Sequence, residues 1–88
     1  MPALYDYSPR AIVVMDEKRL RSGKGFPFVL ATARNKGRHR GWLLKATGFC
    51  WTDPRARDTS KNPFAASYPD YMLVPTKREA LRILRSLV

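Results

Sequence analysis

Apolar residues in this chain fall into two patterns: short β-branched or alternating runs through the first half, and a helical stripe at the end. Ala11 to Met15, AIVVM, is β-branched and predicts a first strand. The segment 26–34, FPFVLATAR, predicts a second, with Phe28, Leu30 and Thr32 on one face and Val29, Ala31 and Ala33 on the other. Neither face is strongly polar, which suits a central strand covered on both sides or carrying a partner on its far face. Pro27 has no amide proton and belongs at the strand start or at an edge. The segment 41–51 predicts a third strand, interrupted by Gly48 at a candidate bulge or close backbone approach. Between the first two runs, DEKRLRSGKG (16–25) reads as a connection of roughly ten residues, longer than most hairpin loops. Met1 to Pro9 shows no periodicity and reads as a lead-in.

The segment 53–75 changes character. Pro54, Pro63, Pro69 and Pro75 punctuate it, and it is expected to be irregular, with a short helical turn after Asn62-Pro63 and a short edge strand over Tyr71 to Val74. A helix is predicted over 76–88. Thr76 and Glu79 have the spacing of a capping box, and Pro75 blocks an earlier start. Ala80, Ile83, Leu84 and Leu87 then repeat at i, i+3, i+4, i+7, with Lys77, Arg78, Arg82 and Arg85 on the other side. The predicted fold is a single α+β domain over 1–88: an antiparallel sheet of three to four strands with the C-terminal amphipathic helix packed on one face. The second face is left to solvent, to residues 53–75, or to a partner, including a second copy of the chain.

Eighty-eight residues leave room for one small core. The charge balance changes the picture more. Seventeen Lys and Arg stand against seven Asp and Glu, a net charge of +10, and eleven of the seventeen are Arg, whose planar fork suits phosphate. From Lys18 to Thr52 there are nine basic residues and no acid. An excess of this size in a small domain points to nucleic acid or another anionic surface.

The richest part of that window is RNKGRHRG, residues 34–41, at the tip of a predicted hairpin. Arg34, Lys36, Arg38 and Arg40 occupy alternate positions and are expected to line one edge, with strict alternation broken by the turn and with His39 among them. Arg21 and Lys24 supply support from the preceding loop. A two-stranded ribbon fits the major groove, which gives duplex DNA a slight preference over RNA. Asn35 and Gly37 are read first as turn residues. Trp42, beside the tip, is the aromatic most expected to stack on a base; the other aromatics are expected in the core.

Other chemistries find little support. One His and one Cys cannot make a zinc cluster, and GKG at 23–25 lacks the spacing of a phosphate loop. No cofactor is expected, and no catalysis. His39 with Arg38, Arg40 and a tyrosine is the minority alternative, a small ribonuclease. A protein-interaction module docking on an acidic or nucleic-acid-binding partner is the other alternative. Cys50, between Phe49 and Trp51, is expected to be a buried thiol. No signal peptide or membrane-spanning run is visible, so no membrane partner is expected and a cytoplasmic location is the default.

The ten residues PTKREALRIL, 75–84, resemble the start of the helix that closes several small three-stranded domains. The arm-binding domains of tyrosine-type integrases and the plant AP2 domains are examples. In those domains the sheet enters the major groove, so the resemblance implies the same strand-strand-strand-helix order and DNA as ligand. The segment 53–75 is longer than that pattern allows, and the likeness assigns no family.

Overall fold

Five antiparallel strands, each hydrogen-bonded to its neighbour in sequence, form one sheet in the order β1-β2-β3-β4-β5. The computed structural model describes residues 2–19, 21–52 and 70–88. The strands are β1 (Ala3–Tyr7), β2 (Ala11–Arg19), β3 (Gly25–Asn35), β4 (Trp42–Ala46) and β5 (Tyr71–Val74), followed by helix α1 (Lys77–Arg85). The α+β class and the single C-terminal helix agree with the sequence pattern; the strand count is five, not three to four. The added strand is the lead-in. Ala3 to Tyr7 alternates only weakly, yet it pairs along its whole length with Ala11 to Met15. Tyr71 to Val74 forms the expected edge strand. The predicted turn at Asn62-Pro63 lies outside the described residues.

The core lies on one side of the sheet. Ile12, Val14, Ala31, Ala33, Trp42, Leu44, Ala46, Met72 and Val74 are buried there against Ala80, Ile83 and Leu84 of α1. These positions are alternate residues of β2 to β5, as a sheet with one covered face requires. Ala31 and Ala33 are fully buried beneath the helix, and their small side chains let it sit close over the middle of the sheet. The helix begins where the capping pattern places it: Thr76 is extended and its Oγ1 accepts the Glu79 N–H at 3.3 Å. It ends at Arg85, three residues short of 88, where Ser86 caps it by donating its hydroxyl to the Ile83 carbonyl at 2.6 Å.

Two local features redirect side chains. The β2–β3 register slips between Val14 and Met15: Val14 faces Ala31 but Met15 faces Val29, so Leu30 is the extra residue of a bulge. Val29 therefore joins Thr32 on the face away from the helix, rather than Ala31 and Ala33 as simple alternation predicts. The second feature is Gly48, with φ +82°, just after β4 ends at Ala46. The predicted strand to Trp51 stops there, because a left-handed residue breaks the extended path. Beyond it Trp51 folds back into the core, its indole N–H donating to the Asp70 carbonyl at 2.7 Å, while Phe49 meets it edge-on at 5.2 Å. Cys50, between them, points outward and is exposed, against expectation.

On the helix side of β1, Lys77 Nζ lies 3.0 Å from Asp6 Oδ2. Asp6 also accepts from the Ser8 hydroxyl and from the Ser8 N–H at 2.9 Å. The Ser8 hydroxyl first, and then Lys77, hold this carboxyl below its ordinary range.

Two outcomes are expected from this packing. Leu84→Ala empties a fully buried site between helix and sheet and should cost about 2–5 kcal/mol in chemical denaturation. Asp6→Asn should lower the melting temperature slightly at neutral pH. Because folding depresses the Asp6 pKa, its contribution is present above the unfolded value of about 3.9 and is lost as pH falls through the lower folded value. Melting curves of the two proteins should therefore converge below about pH 4; a constant gap down to pH 2 would show that the carboxylate charge is not what matters.

Candidate nucleic-acid interface

The basic residues are carried by an elongated frame, 46 × 27 × 17 Å. One end of the sheet brings together the β1–β2 turn, the β3–β4 tip and the start of α1. Asn35, the last residue of β3, ties the first two. Its backbone N–H donates to Arg10 O at 2.9 Å, its side-chain amide donates to Pro9 O at 2.9 Å, and its Oδ1 accepts from the Gly37 N–H at 3.0 Å. The turn then closes through Arg40 N–H to Gly37 O and Lys36 N–H to Gly41 O. Gly41 has φ +79°, and a Cβ there would collide with the Val74 carbonyl, so only glycine lets the tip pass so close to β5. Asn35 is thus a latch for the tip, consistent with its reading as a turn residue.

Lys36, Arg38, His39 and Arg40 are all exposed on this latch. Arg38, His39 and Arg40 line a cavity of about 530 Å³ with Leu73, Pro75 and Glu79. Among the described residues, no tyrosine lines it. Arg34 is exposed but stands apart: it lines a groove on the sheet face away from α1. The four alternating cations do not form one edge, because β3 ends at Asn35 and the turn breaks the alternation. Nor is the tip a free ribbon, since β4 behind it is paired to β5. Trp42 is 6% exposed and faces the helix; it belongs to the core and is unavailable for stacking.

The free ribbon is at the opposite end. Beyond the last β1 partner, Met15, strands β2 and β3 continue from Asp16↔Phe28 to Arg19↔Gly25 as a pair with no third strand beside it among the described residues. Arg21 and Lys24 are exposed in the turn that joins them. Within this arm Lys18 Nζ sits 5.8 Å over the Phe28 ring. The two basic loops therefore lie at opposite ends of β3, as expected from the sequence.

Three further contributors escape a sequence reading centred on the tip. Arg10 is exposed in the β1–β2 turn and reaches the tip only through the backbone bond to Asn35. Lys45 is exposed on β4, on the same sheet face as Arg34, 5.5 Å over the Tyr71 ring. Tyr5 and Tyr7 are 46% and 58% exposed on β1. Among the described residues, no acid forms an ion pair with Arg34, Lys36, Arg38 or Arg40.

The chain matches no known protein family, no curated protein and no solved structure. Five strands in place of three also separate it from the small three-stranded domains that its last helix resembles.

Asn35→Ala removes two side-chain hydrogen bonds at an exposed position and should cost about 1 kcal/mol. The Gly37 amide should exchange with solvent faster while amides of β4 keep their protection; unchanged exchange at Gly37 would mean that the tip is held by other contacts.

Proposed function

We propose that this chain is a non-catalytic nucleic-acid-binding domain that contacts phosphates through its basic loops and sheet face. The observation that carries the reading is the distribution of exposed positive charge that no acid among the described residues pairs. Arg10, Lys36, Arg38 and Arg40 stand at one end, Arg34 and Lys45 one and three residues in from it along the sheet, and Arg21 and Lys24 at the other end, all exposed. The eleven residues of β3 that connect these ends span about 36 Å. A line of charge of that length suits a phosphate backbone better than a small anion, which would need the cations gathered at one point. With the tip not a free ribbon, its contacts are read as phosphate contacts and not as groove readout.

A second reading, a protein-interaction module, is favoured by the sheet face away from α1, where Val29 is exposed and Val13, Met15, Leu43 and Leu73 are half-buried. An acidic protein surface would meet the same cations. Ribonuclease activity remains the minor reading; it predicts RNA cleavage that His39→Ala abolishes.

Binding to nucleic acid should weaken steeply with salt. With on the order of five phosphate contacts, the slope of log affinity against log salt should be about −4.5 on duplex DNA. Arg38→Ala combined with Arg40→Ala should reduce the steepness by about 2 and weaken binding equally across sequences, with melting unchanged. A salt slope identical in the double variant would remove the tip from the interface, and no affinity for duplex, single strand or RNA at low salt would remove the function.

A further inference from the structure

We propose that the sheet face opposite α1 is a platform for single-stranded nucleic acid, with Tyr5 and Tyr7 stacking on bases and Arg34 and Lys45 holding the backbone. The proposal rests on the nucleic-acid reading above and narrows it to unpaired strands.

Strand pairing fixes which residues share this face. One cross-strand row runs Tyr7, Ala11, Arg34, Leu43, Leu73; the next runs Tyr5, Val13, Thr32, Lys45, Tyr71. Neither row contains an acid. Asp6, the acid of β1, lies on the reverse face and is tied to Lys77. Further along β2, two residues past Met15, Glu17 is the exposed acid of this face; around Arg34 and Lys45 the two rows carry no counter-charge among the described residues.

Tyr5 and Tyr7 form a ledge at one side of it. Their ring centroids are 6.5 Å apart and their planes 20° from parallel, with about half of each residue open to solvent. Exposed, near-parallel aromatic rings on the same face as cations are what unstacked bases use. A duplex keeps its bases stacked on one another and has no free base faces to offer, which separates the two forms of ligand. Between the ledge and the cations, Ala11 and Val13 keep the floor low. Arg34 lies two strands from Tyr7, about 10 Å, and Lys45 three strands from Tyr5, about 14 Å. Both cations line a groove of about 370 Å³ that continues across to Tyr71. From β1 to β5 the sheet is about 19 Å wide.

A protein ligand is the competing occupant of the same face. Acid-free aromatic and cationic rows favour a polyanion with flat apolar groups, which describes a single strand more closely than an acidic protein surface.

The test is fluorescence anisotropy with a labelled oligothymidylate of about twelve nucleotides and a duplex of the same length, at low salt. Tyr5→Ala with Tyr7→Ala should weaken the single strand roughly tenfold or more and leave the duplex within about twofold. Tyr5→Phe with Tyr7→Phe, which keeps the rings, should restore single-strand binding. Both tyrosines lie outside the core cluster, and a melting curve on each variant separates loss of binding from loss of fold. Wild-type binding to the single strand that is unchanged in the alanine variant would overturn the platform while leaving the phosphate-contact reading intact. Equal loss on single strand and duplex would likewise overturn stacking. Absence of binding to either probe by the wild type would overturn both readings. Sedimentation showing a dimer that the alanine variant disrupts and the oligonucleotide does not would assign the face to a second copy.

Discussion

One short helix covers one face of a five-stranded sheet, and most of the molecule's character follows from that limit. Nine residues of α1 span about 14 Å, enough to bury Ala80, Ile83 and Leu84 on β3, β4 and β5 but not to wrap the sheet. The large buried side chains Ile12, Leu44 and Met72 and the small ones at Ala31 and Ala33 are matched to that single layer. Among the described residues, no helix lies over the reverse face. A small domain with such an exposed sheet is solvated mainly by its charges, and here they are overwhelmingly positive.

The end of the sheet near the tip shows how a loop rich in like charges is kept in shape. Four basic residues in close succession repel one another. The fold opposes that repulsion with neutral groups: three hydrogen bonds at Asn35, and the close passage of Gly41 under the Val74 carbonyl. None of these depends on ionic strength as an ion pair would. The tip can therefore keep its shape while its side chains remain free of internal acidic partners among the described residues.

The helix and the central strands were legible from the chain because each carries its own local signal. Thr76 and Glu79 mark where α1 starts, the stripe from Ala80 to Leu87 marks its buried side, and the apolar run through β3 marks a strand flanked on both edges. The limits of such reading have physical causes. β1 has too little alternation to announce itself and is a strand because β2 offers an edge to pair with. The bulge at Leu30 inverts the side-chain phase, which alternation cannot foresee. Gly48 ends β4 through one backbone angle, and this sends Trp51 inward and Cys50 outward. The basic residues are obvious in sequence, but their grouping is not: Arg34 parts from Arg38 and Arg40 at a turn, and Arg10 arrives from a different hairpin. Trp42 illustrates the same limit, since its place next to the tip in sequence says nothing about which face of β4 it occupies.

The order of strands has a consequence for how the molecule comes into being. Every strand pairs with the one made just before it, so the sheet can assemble progressively from hairpins as the polypeptide is synthesised. The element that shields its oily side is made after all five. Until α1 emerges, Ile12, Leu44 and Met72 lack the helix that packs over them, and a product cut short before Thr76 would lack it permanently. Such a truncated chain is expected to aggregate rather than to persist as a bare sheet.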